Sequence, residues 1–282
     1  MKFRYYFFKE QDRVYDKAEL LTYLEEQNFM TLHQDGAIKV AKYHNTVIGM
    51  DATFILNTKS IVPNIQRLNP AYLDLNLYVE FDVVNNTYKV GKIVDMIEVI
   101  CRRFNFCVYN EYFEDVLPFK RSLLLGAFDL VKKAYKKKYE EEFMNYSKLP
   151  SQSLESIYRF LEIKDELVDV DDYQILDYLF LREKDSRRAY VGADLKLEKP
   201  FIIPPSVQLV RIKDGNEFKL VSLQDLKRKI QKYLTLVDSR LIDVYMVEAR
   251  HFKAVKKIVS KLKLDEVKVP LKEVPFDSVL DL

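Results

Sequence analysis

Residues 116–149, VLPFKRSLLLGAFDLVKKAYKKKYEEEFMNYSKL, read as one long helix about which the rest of the chain is arranged. Leu124, Phe128, Val131, Tyr135, Tyr139, Phe143 and Tyr146 recur at spacings of three and four, the period of one helix face. Leu123, Ala127, Leu130 and Ala134 widen that face in the first half, which predicts burial on more than one side. Pro118 suits a helix start, because the first N–H groups lack partners anyway, and Pro150 follows the expected end. In the second half Lys136, Lys137 and Lys138 precede Glu140, Glu141 and Glu142. These i,i+4 pairs run in the weaker orientation and contribute roughly 0.2–0.5 kcal/mol each at best. Burial of Tyr135, Tyr139, Phe143 and Tyr146 must therefore hold this half, and we expect that stripe to be an interaction surface for a protein partner or a second copy.

Upstream, residues 2–8 form a β-rich strand, and Asp16 can cap a helix running to about Gln27. Residues 37–43 and 46–57 flank His44-Asn45 as a hairpin. Residues 72–84 alternate: Leu73, Leu75, Leu77, Val79, Phe81 and Val83 point one way, and Tyr72, Asp74, Asn76, Tyr78, Glu80 and Asp82 the other. That is a half-buried antiparallel strand with one wet face. A helix over residues 90–104 and a strand over 106–109 follow. The order predicts an α+β fold: a mainly antiparallel sheet with helices on one face, for which a ferredoxin-like variant is one arrangement. The expected division is an N-terminal α+β domain, residues 1–149, and a smaller C-terminal α/β module, residues 150–282.

Within the second block, residues 173–183 fit a helix or a strand equally well. Residues 199–206 hold three prolines and read as an extended connector. Residues 207–212 read as a strand, Asp214-Gly215 as a tight turn into 217–221, and Ser222 and Asp225 open a helix to about Leu236. A strand over 243–249 and a helix over 251–262 precede an extended tail.

With 282 residues, 48% hydrophobic and 31% charged, the chain has the composition of a globular protein. No run of eighteen apolar residues predicts a membrane span, and residues 1–10 lack the features of a signal peptide. Two cysteines suit a reducing, cytoplasmic setting.

The six glycines are too dispersed for a dinucleotide fingerprint or a phosphate loop. The cysteines and the three histidines lack metal-pair spacing, so no cofactor or metal is expected from motifs. Cys101 and Cys107 read as buried thiols. Asp169, Asp171 and Asp172 lack the rest of a calcium loop and read as a solvated turn. Asp214, Glu217 and Lys219 make an acid-acid-base set that a metal-dependent hydrolase could use, although the same residues are ordinary in a hairpin. His251 has no nucleophile beside it in sequence.

Charge is uneven. Residues 211–263 hold 14 Lys and Arg against 6 Asp and Glu, while residues 162–177 hold 1 against 7. Lys227, Arg228 and Lys232 lie on one expected helix and Lys253, Lys256 and Lys257 on the next, a candidate polyanion or nucleic-acid surface. The first functional expectation is thus macromolecular interaction or self-association without enzymatic chemistry. The second is polyanion binding through the basic helices, and the third a metal-dependent hydrolase whose site only the fold assembles.

Overall fold

The computed structural model describes residues 1–167, 172–214, 217–237, 243–261, 267 and 269–281, without the side chains of Asp214 and Glu217. Asp169, Asp171 and Gly215, which figured in the acidic-turn and tight-turn expectations, lie outside the described residues, as does Lys263 of the basic stretch. The chain divides into two units, Met1–Glu140 and Glu141–Leu282.

The first unit runs β1 (Lys2–Glu10), α1 (Lys17–Glu25), β2 (Met30–Asp35), β3 (Ile38–Asn45), β4 (Met50–Leu56), β5 (Tyr72–Asp82), α2 (Thr87–Phe104), β6 (Cys107–Tyr109), β7 (Leu117–Pro118) and α3 (Arg121–Lys138). Its strands form one seven-stranded sheet, ordered β2-β3-β4-β5-β1-β6-β7. Every pairing in it is antiparallel. Within it, β1, α1, β4, β5, α2 and β6 repeat the β-α-β-β-α-β succession of a ferredoxin-like unit, with β2, β3, β7 and α3 added.

Strand β1 is apolar on both faces, which explains its place inside the sheet. Phe3 meets Phe81 at 5.6 Å and Phe128 of α3 at 5.5 Å, ring centre to ring centre. The Tyr5 hydroxyl donates to the Leu124 carbonyl at 2.5 Å. On the other face Tyr6 and Phe8 join Val62, Tyr78, Tyr109 and Val116 in a second cluster. The wet face expected of β5 is therefore partly dry: Tyr78 is only 8% exposed, whereas Leu73, assigned to the core, is 48% exposed. A bulge accounts for the disturbance near Leu73. Phe7 lies opposite Leu77 but Phe8 opposite Asp74, and Asn76 takes a left-handed φ of 55°.

Two other expectations shift. The hairpin turn falls at residues 46–49, not at His44-Asn45. Asn45 Oδ1 accepts from Val47 and Ile48 N–H groups, and Gly49 supplies a left-handed φ of 59°. No periodicity in the sequence marks strand β2, because it is an edge strand whose six positions are all exposed or half-exposed.

The long helix is shorter than expected. Pro118 belongs to β7 at the sheet edge, where its missing N–H leaves no ladder bond broken on the open side. Helix α3 ends at Lys138, and Tyr139 leaves helical geometry at φ −121°, ψ 48°. The three lysines of the last turn complement the carbonyl end of the helix dipole, whereas Glu140, Glu141 and Glu142 would oppose it if the helix continued. The first half of α3 is also covered on one side alone, since Leu130 is 66% exposed.

The second unit follows α4 (Glu140–Phe143), which spans the boundary. It comprises β8 (Ser147–Lys148), α5 (Ser151–Ile163), β9 (Gln174–Ile175), β10 (Asp177–Glu183), β11 (Ala189–Leu195), β12 (Phe201–Ile203), β13 (Leu209–Asp214), β14 (Glu217–Ser222), α6 (Leu223–Ile230), β15 (Leu234–Leu236), β16 (Tyr245–Val247), α7 (Ala249–Lys261), β17 (Leu271–Glu273) and β18 (Val279–Leu280). One sheet has the order β14-β13-β11-β10-β17 and a second β15-β16-β12-β9, and β18 pairs with β8. Residues 177–183, open between helix and strand in sequence, are a strand because β11 and β17 flank them. The expected connector contains β12, whose Phe201, Ile202 and Ile203 are fully buried. Arg211 ties three strands together: its guanidinium clamps Asp194 at 2.5 and 2.6 Å and reaches Glu273 at 3.1 Å. These hydrogen bonds, Asp194 foremost, raise its already high pKa.

We expect Phe128→Ala to destabilise the protein by about 3–5 kcal/mol in urea unfolding, because it empties a buried aromatic site. Leu130→Ala, on the solvent side of the same helix, is expected to stay within about 0.5 kcal/mol. Equal losses for the two variants would contradict the one-sided packing.

Candidate functional site

Helix α6 begins where the Ser222 hydroxyl accepts the Gln224 N–H at 3.2 Å, a side-chain N-cap. Leu223, Leu226 and Ile230 recur at helical spacing and are buried. Their burial fixes the helix and sets Lys227 at the margin of the apolar face. Lys227 is consequently half-buried, with Nζ 3.7 Å from the centre of the Tyr245 ring on β16. Burial pushes the Lys227 ammonium below its ordinary pKa, and the charge of Asp243 opposes that shift. The Tyr245 hydroxyl donates to Asp243 Oδ1 at 3.2 Å. Burial, then the bond and charge of Asp243, raise the phenol's pKa.

These elements border a cleft of about 1020 Å³. Its wall includes Lys227, Arg228 and Gln231 from α6 and the residues after it, Gln208 and Ser222 beside the helix start, Leu234, Thr235 and Leu236 of β15, and Tyr245. Among the described lining residues there are two cations and no carboxylate. Three glutamines, a serine, a threonine and a tyrosine add neutral hydrogen-bonding groups around an apolar floor. Several of these groups are held in place. Gln208 Oε1 accepts from Val191 N–H at 3.3 Å, and the Thr235 hydroxyl donates to Glu248 at 3.0 Å. Arg250 pairs with the other Glu248 oxygen at 2.6 Å, and the Thr235 and Arg250 bonds lower the pKa of that carboxyl. Arg228 is ion-paired with Asp225 along the helix.

The structure divides the basic set. Lys227 and Arg228 line the cleft. Lys232 is exposed after α6, with Nζ 4.9 Å from the Tyr233 ring. Lys253, Lys256 and Lys257 are exposed on α7 and do not line the cleft. The aromatic stripe is divided too. Tyr135 and Tyr139 keep a ring distance of 4.6 Å in the first unit, and Phe143 and Tyr146 one of 6.0 Å in the second. Phe143 is fully buried, so it offers no surface; the end of α3 at Lys138 breaks the single face that the four residues would need.

Cys101 and Cys107 are buried as expected, and both line a smaller cavity of about 450 Å³ in the first unit. Burial raises both thiols, which keeps them protonated at neutral pH and poorly nucleophilic. His251, on α7, packs its ring 5.4 Å from that of Tyr233, which follows α6. Among the described residues no group of three or more His, Cys, Asp or Glu side chains could hold a metal ion. The side chains of Asp214 and Glu217 lie outside the described parts. Among the described residues no helix is long and apolar enough to cross a membrane. No protein-family model matches the sequence, and no curated protein or solved structure is significantly similar to it.

Gln208, Gln231, Thr235 and Tyr245 carried no signal in sequence. They are neutral, come from separate elements and meet only through folding.

Because the folded-state pKa of Lys227 lies below its unfolded value, the folded protein binds fewer protons in that window, and stability rises as pH climbs through it. We expect the Lys227 Cε signal, followed by ¹³C NMR, to titrate below the ordinary lysine value. An anion placed in the cleft is expected to move the midpoint back up. Titration of Lys227 at or above the ordinary lysine value would contradict the half-buried ammonium.

Proposed function

We propose that the protein acts by binding, and that the cleft bordered by α6, β15 and Tyr245 receives an anionic segment of a partner macromolecule. The observation that supports this reading is the charge of the lining: Lys227, with Arg228 in its ion pair to Asp225, and no carboxylate among the described lining residues. A half-buried ammonium has already lost part of its hydration, so an incoming carboxylate or phosphate gains more from it than from an exposed lysine. The apolar and amide groups around it supply contact area that a bare cationic surface lacks.

Fluorescence anisotropy with a labelled glutamate-rich peptide and a labelled dT oligonucleotide tests this. At least one of the two probes is expected to bind saturably and to weaken with salt. Lys227→Ser with Arg228→Ser is expected to reduce affinity about tenfold, on the order of 1.4 kcal/mol. Lys253→Ser, Lys256→Ser and Lys257→Ser together are expected to cost less than threefold. Absence of binding by both probes at low salt, or a loss confined to the α7 variant, would overturn the proposal.

A further inference from the structure

We propose that the occupant of the cleft is an acidic peptide segment in extended conformation, which adds as a further strand to the free edge of β15. This rests on the reading of the cleft as an anion-binding site and names the class of its ligand.

The backbone geometry of β15 carries the inference. The strand is outermost in its sheet, β15-β16-β12-β9, and no described strand lies beyond it. Its register with β16 pairs Leu234 with Val247, Thr235 with Met246 and Leu236 with Tyr245. One step further along, Val237 N–H donates to the Val244 carbonyl at 3.1 Å. Antiparallel ladders alternate between pairs that exchange hydrogen bonds and pairs that do not. With Val237 and Val244 a bonded pair, Leu236 and Tyr245 are an unbonded one. The N–H and C=O of Leu236 therefore point away from β16, toward the open edge. Two residues back, Leu234 has the same outward phase, and its N–H is already used by the Gln231 carbonyl in closing the turn after α6. Its C=O remains directed outward.

The cleft is lined by Leu234, Thr235 and Leu236 in succession. Three consecutive residues cannot share one face of a strand, whose side chains alternate. Together they present the edge. Lys227 and Arg228 of α6 and Tyr245 of β16 line the same cleft, so the edge of β15 runs beside a helix. That is the setting in which extended peptides are bound by strand addition, with main-chain bonds giving affinity and side-chain pockets giving specificity. Leu236 is 62% exposed on this edge, which leaves apolar surface for alternate residues of a peptide to cover.

The charge that α6 brings to the cleft selects an acidic peptide. Lys227 and Arg228 face an occupant whose other contacts are apolar or neutral. A single-stranded nucleic acid would want a stacking platform and several cations along its phosphates. Here the Tyr245 ring is already covered by Lys227 at 3.7 Å, and Lys253, Lys256 and Lys257 lie outside the cleft.

The test uses the full chain and a fluorescein-labelled peptide, Glu-Val-Glu-Leu-Glu-Val-Glu, beside four comparison probes. These are the same peptide N-methylated at its odd-numbered amides, the same peptide N-methylated at its even-numbered amides, its counterpart with Lys for Glu, and a dT oligonucleotide of twelve residues. The acidic peptide is expected to bind saturably and to shift the Leu236 amide signal in NMR. N-methylation, in whichever register blocks the edge, is expected to weaken binding at least tenfold, Lys227→Gln about tenfold, and the lysine peptide is expected not to bind. Both N-methylated registers binding as tightly as the parent would overturn strand addition. Cleft-dependent binding of the oligonucleotide without the peptide would overturn the ligand class while leaving the anion-binding cleft standing. No binding by any anionic probe would overturn both.

Discussion

Strand β1 has no face that can be left in water, and the first unit is built around that constraint. Phe3, Tyr5 and Phe7 project to one side, Tyr6 and Phe8 to the other, and all five are at most 3% exposed. Each large side chain removed from water contributes roughly 1.5–3 kcal/mol. The only place for such a strand is inside a sheet covered on both faces. Helix α3, which packs with α2, closes one face through Phe128 and the Leu124 carbonyl. The chain segments that bring in Val62 and Val116 close part of the other. The bulge in β5 follows from the same demand, since it carries the strand past Phe7 and Phe8 while Tyr78 stays against Tyr6 at 6.0 Å.

The second unit solves a different problem. Its two sheets leave short edges, and its helix α6 buries three side chains in eight residues. A helix that short depends on tertiary packing for its stability. The packing that holds it also draws Lys227 off the surface and over Tyr245. The position of this cation is thus a by-product of core burial. Neighbouring polar groups are fixed by bonds to the framework, Gln208 through β11 and Thr235 through Glu248. Groups fixed before binding lose less freedom when a ligand arrives.

Legibility in the sequence followed periodicity. The β-rich aromatic run of β1, the alternation in β5, the helical stripes of α2 and α3 and the apolar spacing of α7 are dense enough to declare element type. Ends and edges were not. Helix α3 stops at Lys138 because Tyr139 turns away and Phe143 is buried in the other unit, although the apolar spacing continues across the break. Strand β15 was absorbed into the preceding helix in the sequence reading, since Leu234 and Leu236 prolong an apolar pattern. Its strand geometry comes from pairing with β16, which follows in the chain but is separated from it by several residues. Of the cleft's polar residues, Lys227 and Arg228 were visible through charge. Charge could not show that these two differ from Lys253, Lys256 and Lys257, because exposure is set by what packs beside a residue rather than by its neighbours in sequence.

By itself the sequence determined an α+β protein with a mainly antiparallel sheet, a two-part layout in expectation and a lysine-rich stretch near its C-terminal end. Those properties are local sums: hydrophobic period, turn residues and charge counts. Tertiary structure alone decided that Lys227 is half-buried, that β15 is outermost among the described strands of its sheet and which neutral side chains came to stand around them. The physical reason is that desolvation and strand pairing depend on segments that fold together from separate parts of the chain. Lys227 owes its lowered pKa to burial beside the Tyr245 ring, and the edge of β15 is defined by the one side on which β16 lies.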